Sequence, residues 1–143
     1  FEDYFSLVNE LIDLMPGQEL HMEPGRSIVG QCGSLISRVL YIKNGSNTIF
    51  AILDAGMTDL IRPALYQANH KIENLSARGN VLRYDVVGPV CESSDTFAKY
   101  IELPETKRGD FIAIRSAGAY GEAMASRYNL RNIAPAIFSD DLR

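Results

Sequence analysis

Apolar side chains recur at helical spacing over the first fifteen residues of the chain. They lie three or four positions apart, with acidic and amide side chains between them, at Tyr4, Val8, Leu11 and Met15. This spacing is typical of one face of an α-helix. It predicts an amphipathic helix over residues 1–15 that ends at Pro16-Gly17.

From residue 27 onward the pattern changes to runs of β-branched and aromatic residues that are separated by turn residues. The run 27–43 ends in Asn44-Gly45, a pair that favours a hairpin, and residues 48–53 form the return strand. Further β-type runs are 83–87, 100–103 and 111–115. Short strands at this spacing predict a sandwich or barrel, which we expect to be mainly antiparallel.

A short segment, Glu19 to Met22, lies between the predicted helix and the β-rich part of the chain, and we interpret it as one strand. The expected architecture is therefore one helix and one strand in residues 1–28, followed by a compact β domain in residues 29–143. A lone helix and strand cannot bury both of their faces. We therefore expect the chain to be a fragment of a longer protein.

Composition and charge exclude several classes of protein. The chain has 143 residues, which allows one domain and is too short for a (β/α)₈ barrel of about 250 residues. The net charge is −4 and the basic residues are scattered, so nucleic acid is not an expected partner. No run approaches the roughly 18 apolar residues of a membrane span. The chain has only two cysteines, so we do not expect a disulfide scaffold. We expect a reducing compartment, the cytoplasm.

Polar clusters at predicted strand ends or turns are the candidates for chemistry, because sites usually lie on loops. There are four of them: Glu23 to Arg26, Arg62 to Tyr66, Gly88 to Asp95, and Ala117 to Gly121. Other classes of site fail on spacing. His21 and His70 are too isolated for a zinc site, and no phosphate-binding glycine loop or serine-hydrolase elbow is present. We expect no metal.

The first two clusters each allow two interpretations. Glu23 and Arg26 are either charges on a solvated surface turn or parts of an anion site, in which arginine holds a phosphate or carboxylate. The tract 59–66 predicts a turn or a short helix interrupted by Pro63. Arg62 and Tyr66 then either share one helical face and bind one carboxylate, or Tyr66 belongs to the core.

The other two clusters contain a thiol and a phenol. A free cysteine is usually a small buried hydrophobe, as we expect for Cys32. Cys91 differs because it follows a Gly-Pro turn and precedes polar residues, which places it on a loop where it can exchange a proton. Its neighbour Glu92 can bind an ammonium group. Tyr120, between glycines, has either a turn role or a ring exposed to a ligand.

In this order, the four clusters resemble the C-terminal part of the diaminopimelate decarboxylases, in the alanine-racemase-like, fold-type III group of pyridoxal-phosphate decarboxylases. The resemblance runs from about residue 19 to about residue 129 and includes the segments 50–57, 59–61 and 124–129. In that family, an N-terminal (β/α)₈ barrel binds the cofactor and a C-terminal β domain completes the site. The resemblance implies that residues 1–28 are the last helix and strand of the barrel.

The resemblance also implies which residues meet the cofactor, pyridoxal 5′-phosphate. Glu23 would pair with the pyridine nitrogen, and the turn Glu23, Pro24, Gly25 and Arg26 would line the phosphate. Arg26 is also a substrate contact in the family, and Tyr120 would touch both cofactor and substrate. The lysine that forms the Schiff base has no counterpart here, so the chain alone is expected to be inactive.

On the substrate side, the resemblance implies that Arg62 and Tyr66 bind the distal carboxylate of meso-diaminopimelate and that Glu92 binds its distal ammonium. Cys91 would return a proton to the α-carbon after carbon dioxide leaves. A cysteine thiol is mostly protonated at neutral pH, as this role requires.

The implied reaction is the decarboxylation of meso-diaminopimelate to L-lysine. In the family, Cys91 and Glu92 are presented to the cofactor of the partner subunit, which implies a homodimer with shared sites. Two alternatives remain open. One is a related decarboxylase that acts on carboxynorspermidine or another amino acid, and the other is a non-catalytic module for dimerisation or regulation.

Overall fold

The computed structural model describes residues 1–142, and its strands form a single sheet. Its six strands are β1 Ser34–Asn44, β2 Ile49–Leu53, β3 Ile72–Asn74, β4 Val81–Val87, β5 Thr96–Pro104 and β6 Phe111–Arg115. The α-helices are α1 Glu2–Leu11, α2 Arg26–Val29 and α3 Arg62–Tyr66. Short 3₁₀ turns lie at Gly30–Cys32, Glu122–Met124, Tyr128–Leu130 and Ser139–Leu142. None of the described helices combines the length and the apolar character that crossing a membrane requires.

The strands follow one another across the sheet in the order β3-β6-β1-β2-β4-β5, and β3 approaches β5, so the sheet is a nearly closed barrel. This confirms the prediction of a mainly β domain. All pairings are antiparallel except that of β2 with β4, which is parallel. Parallel neighbours need a long crossover connection. Here the crossover is residues 54–80, and it carries α3.

The barrel is filled by alternate side chains of its strands, since successive residues of a strand point to opposite faces. The large side chains with the least exposure are Tyr84, Leu53, Leu60, Leu103, Ile112, Ile114, Val39 and Val86. Tyr84 is the polar member of this core. Its hydroxyl accepts a hydrogen bond from the backbone N–H of Thr106 at 2.9 Å, so the phenol oxygen is paired although it is buried.

The predicted hairpin at Asn44-Gly45 is confirmed. Asn44 lies opposite Ile49, and the N–H of Gly45 donates to the carbonyl of Thr48 at 2.8 Å. The predicted strand 111–115 matches β6, whereas β3 was not predicted, because its three residues are too few to show an alternating pattern.

The start of the first long strand differs from the prediction. Residues 26–32 are helical or 3₁₀, and β1 begins only at Ser34. The reason is local: after Pro24-Gly25 the N–H groups of Ser27 and Ile28 donate back to the carbonyls of Pro24 and Gly25, each at 3.2 Å. These bonds close a helical turn. The turn forms although the β-branched side chains that follow favour a strand.

The opening segment contains the predicted helix but not the predicted strand. Helix α1 ends at Leu11 and buries none of its side chains, and no strand is assigned within residues 12–33. A strand exists only where its backbone pairs with a neighbour, and residues 19–22 pair with none of the described strands. The division into 1–28 and 29–143 stays a prediction, and residue 143 lies outside the described residues.

Candidate active site

Arg62, at the start of α3, has its guanidinium group close to two tyrosine rings. Pro63 occupies the first turn of this helix, where its fixed backbone angle fits. The guanidinium carbon of Arg62 lies 5.3 Å from the ring centre of Tyr66 and 5.9 Å from that of Tyr120. Arg62 and Tyr66 therefore share one helical face, as predicted. Tyr66 is 58% exposed, so the alternative that places it in the core is wrong.

A second arginine belongs to the same group. Arg26, on α2, donates from Nη2 to the carbonyl of Ser116 at 2.9 Å. The Nε atoms of Arg26 and Arg62 are both buried, and neither has a hydrogen-bond partner among the described residues. Buried donors of this kind are normally paired. Arg26 and Arg62 therefore each carry a cationic N–H donor without a described partner.

His70 is buried, and the charges of Arg26 and Arg62 both act on it. Its Nδ1–H donates to the carbonyl of Arg115 at 2.8 Å, and its Nε2 is buried without a partner among the described residues. Burial lowers the pKa of His70, and the charges of Arg26 and Arg62 lower it further against the opposing effect of the Arg115 carbonyl. His70 is therefore a neutral imidazole that presents an acceptor nitrogen.

This lowered pKa predicts how the stability of the chain depends on pH. Above the pKa of an unfolded histidine, His70 is neutral in both states and contributes no pH dependence. As the pH falls below that value, the unfolded chain binds a proton that the folded chain does not, so the free energy of unfolding decreases. Denaturant unfolding from pH 8 to pH 5, compared between the wild-type chain and His70→Gln, measures this. If the free energy of unfolding of His70→Gln decreased by the same amount over this pH range, His70 would not be the group that causes the pH dependence.

The loop after β4 carries Cys91 and Glu92, and Asp95 fixes its base. The buried carboxylate of Asp95 accepts the N–H of Met57 at 2.6 Å and that of Val90 at 2.7 Å. A Cβ atom on Gly88 would overlap this carboxylate, which explains the glycine. Burial raises the pKa of Asp95, and the two backbone donors oppose that effect.

Cys91 and Glu92 are exposed at the tip of this loop. The phenol of Tyr128 donates a hydrogen bond to Oε1 of Glu92. That bond is the first cause of a raised pKa of Tyr128, followed by the charge of Glu92. Glu92 and Tyr128 line an open cleft of about 330 Å³, together with Met57, Thr58, Ile61 and Ser126.

The predicted site residues thus fall into two groups. The Arg62 group contains Arg26, Arg62, Tyr66, Tyr120 and, in addition, His70. The Glu92 group contains Cys91, Glu92 and, in addition, Tyr128. Among residues 1–142, no hydrogen bond, ion pair or cation–π contact joins the two groups.

The other residues of the turn before α2, residues 23–25, belong to neither group. Glu23, Pro24 and Gly25 are exposed, and the carboxylate of Glu23 makes no hydrogen bond to the described residues. Cys32 is also exposed, so the expectation that it is a small buried hydrophobe is wrong. Its thiol donates to the carbonyl of Val29 within the turn that precedes β1.

Sequence reasoning missed His70 and Tyr128. His70 was noted only as too isolated for a metal ligand, and Tyr128 only as part of the segment 124–129. No local sequence pattern indicates a role for either residue, because their hydrogen-bond partners are distant along the chain. Arg115 is 45 residues from His70, and Glu92 is 36 residues from Tyr128.

Comparison with known proteins shows the family. Residues 8–118 match the family described as pyridoxal-dependent decarboxylase, C-terminal sheet domain. The chain belongs to this family. Among curated relatives, the diaminopimelate decarboxylase of Bacteroides thetaiotaomicron is 61% identical over 99% of this chain and 37% of its own length. That of Helicobacter pylori strain J99 is 55% identical over 76% of this chain and 27% of its own length.

Solved structures of the pyridoxal-dependent decarboxylase family share the fold. The crystal structure of diaminopimelate decarboxylase from Helicobacter pylori, complexed with L-lysine, is 51% identical and matches with a TM-score of 0.74 over 89% of this chain and 31% of that one. Lysine decarboxylase from Selenomonas ruminantium, 28% identical, matches with a TM-score of 0.75 over 83% of this chain and 31% of that one. The chain spans about a third of the length of the curated relatives it matches.

Proposed function

We propose that this chain is the C-terminal part of a pyridoxal-phosphate-dependent carboxy-lyase that converts meso-diaminopimelate into L-lysine and carbon dioxide. The observation that carries the proposal is the position of the Arg62 guanidinium within 5.9 Å of the ring centres of both Tyr66 and Tyr120, with a buried Nε–H that has no described partner. A guanidinium group held in this way is a receptor for a carboxylate. The names of the most similar relatives support the same substrate.

The charges of the two groups fit a substrate with a second amino-acid group at its far end. The distal carboxylate of meso-diaminopimelate needs a cation, which Arg62 supplies with Tyr66 beside it. The distal ammonium needs an anion, which Glu92 supplies. Ornithine or lysine has only an ammonium group at that end, so neither uses an arginine there. The pair Arg62 and Glu92 therefore favours diaminopimelate over a purely cationic side chain.

The residues of the α2 turn fit the cofactor. The buried Nε–H of Arg26 is an unpaired cationic donor suited to a phosphate, with Pro24 and Gly25 lining the same turn. The exposed carboxylate of Glu23 can pair with a protonated pyridine nitrogen, and Tyr120 lies beside the substrate receptor. When bound, pyridoxal 5′-phosphate accepts the electron pair that remains on the α-carbon as carbon dioxide leaves. The Schiff-base lysine would belong to an N-terminal barrel domain.

Cys91 holds a proton at Sγ and delivers it to the α-carbon after decarboxylation. Because Cys91 and Glu92 are exposed, and no hydrogen bond or ion pair among residues 1–142 joins them to the Arg62 group, we assign the two groups of one chain to different pockets. Each pocket is then completed by the loop of a partner subunit, in a homodimer. Two cysteines without a disulfide accord with the cytoplasm as the compartment.

An assay of the whole protein tests this function. With pyridoxal 5′-phosphate and meso-diaminopimelate we expect lysine and carbon dioxide in equal amounts. The 143-residue chain assayed alone serves as the comparison, and it should give no turnover because its lysines match no Schiff-base motif. Faster turnover of carboxynorspermidine than of diaminopimelate would overturn the substrate assignment, and turnover by the chain alone would overturn the claim of inactivity.

A further inference from the structure

The segment 126–131, which contains Tyr128, is attached at both ends to the start of the crossover. At one end, the N–H of Ser126 donates to the carbonyl of Thr58 at 2.9 Å. At the other end, Nε of Arg131 donates to Oγ1 of Thr58 at 3.2 Å, and its Nη2 donates to the carbonyl of Asp54. Because both ends are held on the same short stretch of chain, the position of the ring between them is fixed.

The backbone of this segment turns sharply after the tyrosine. Asn129 and Leu130 have φ values of 56° and 57°, a left-handed conformation that non-glycine residues rarely adopt in succession. This turn lets the chain return to Thr58 within three residues while Tyr128 points at the tip of the neighbouring loop. The base of that neighbouring loop is held on Met57 through Asp95, so both loops rest on residues 54–59.

We propose that Tyr128 is a positioning residue, whose phenol holds the Glu92 carboxylate in the orientation that receives the ammonium group of the substrate. The proposal rests on the proposed function of Glu92. Oε1 of Glu92 accepts the phenol, whereas no described residue donates to Oε2, which is left for the ammonium. The ring of Tyr128 is 49% exposed and lines the same cleft as Glu92.

A phenol suits this task better than a cation does. A lysine or arginine at the same place would order the carboxylate but also neutralise it, and the ammonium group would then have to compete for it. A neutral hydroxyl orders the side chain and leaves its full negative charge. Because the hydrogen bond to Glu92 raises the pKa of Tyr128, the phenol keeps its proton and remains a donor.

Tyr128→Phe in the whole protein tests the proposal, since it removes one hydroxyl and keeps the ring. We expect kcat/KM for meso-diaminopimelate to fall about 10- to 100-fold, the size of a hydrogen bond to a charged group, mainly through a higher KM. In a Glu92→Gln background the same change should have little further effect, because the carboxylate is already lost. Tyr41→Phe is the matched control, as Tyr41 is exposed and its hydroxyl has no described hydrogen bond.

A second readout does not depend on activity. In the whole protein, Glu92→Gln should lower the pH at which one tyrosine ionises, followed by tyrosinate absorbance, and this shift should be absent when residue 128 is phenylalanine. If diaminopimelate is turned over but Tyr128→Phe leaves KM unchanged, or if its effect adds fully to that of Glu92→Gln, the proposal is wrong. If the wild-type protein does not act on diaminopimelate, the proposed function fails instead, and an unchanged tyrosine titration would then overturn the Tyr128–Glu92 contact separately.

Discussion

Replacing Cys91 by alanine in the whole protein is expected to lower kcat for diaminopimelate decarboxylation by about 10²- to 10⁴-fold, the usual contribution of a positioned proton donor. The thiol holds the proton that the α-carbon takes up after carbon dioxide has left. Without it, water has to supply that proton from an arbitrary direction. The release of carbon dioxide and the formation of lysine, both followed in D₂O, measure the rate and show which face of the α-carbon receives the deuteron.

Cys32→Ala is the matched control for this prediction. Cys32 is the other free cysteine of the chain, and it is likewise exposed, but its thiol only closes a local turn with Val29. Its replacement should leave kcat within a factor of about two, since surface changes outside a functional contact have small effects. A Cys91→Ala enzyme with wild-type kcat and one-sided deuterium incorporation would remove Cys91 from the reaction.

Arg62→Ala is expected to lower kcat/KM for meso-diaminopimelate by about 10²- to 10³-fold, because one partner of a buried, hydrogen-bonded charge pair is lost. The larger consequence concerns specificity. D-Lysine is meso-diaminopimelate without the distal carboxylate, which the product L-lysine retains. The wild-type site should reject D-lysine as a substrate by about 10⁴-fold or more, since it would leave the buried guanidinium unpaired. With alanine at position 62, most of that discrimination should vanish. Rates with both substrates, measured side by side, give the ratio.

Arg78→Ala provides the control for the loss of positive charge. Arg78 is exposed and donates only to the carbonyl of its neighbour Ala77, so its removal should change neither rate. If Arg62→Ala retained the wild-type preference for diaminopimelate over D-lysine, the distal carboxylate would bind elsewhere. The assignment of Arg62 and Tyr66 as its receptor would then be wrong.

Sequence reasoning located the elements whose causes are local. The Asn44-Gly45 hairpin and strand β6 follow from turn residues and from alternation within a few positions. The shared face of Arg62 and Tyr66 follows from a spacing of four residues in one helical turn. The failures are also informative: the strand expected at 19–22 is absent because a strand needs a partner that this pattern cannot reveal.

Local sequence patterns could not show which residues come together in the site. Arg26 and Ser116 meet across 90 positions, and Tyr128 meets Glu92 across 36. The first contact lies beside the antiparallel pairing of β1 with β6, which places Ser34 opposite Arg115. The second depends on residues 54–59, which hold both the loop of Glu92 and the segment of Tyr128. Residues 54–59 are the first residues of the crossover that joins β2 to β4.

The residue types, their order and their spacing were thus enough to predict a β domain and the family that the clusters resemble, both of which are confirmed. Which residues meet was decided only by the folded chain, which adds His70 to the Arg62 group and Tyr128 to the Glu92 group. The physical reason is that periodicity and turn preference act over a few residues, whereas a binding site depends on where the barrel brings distant loops together.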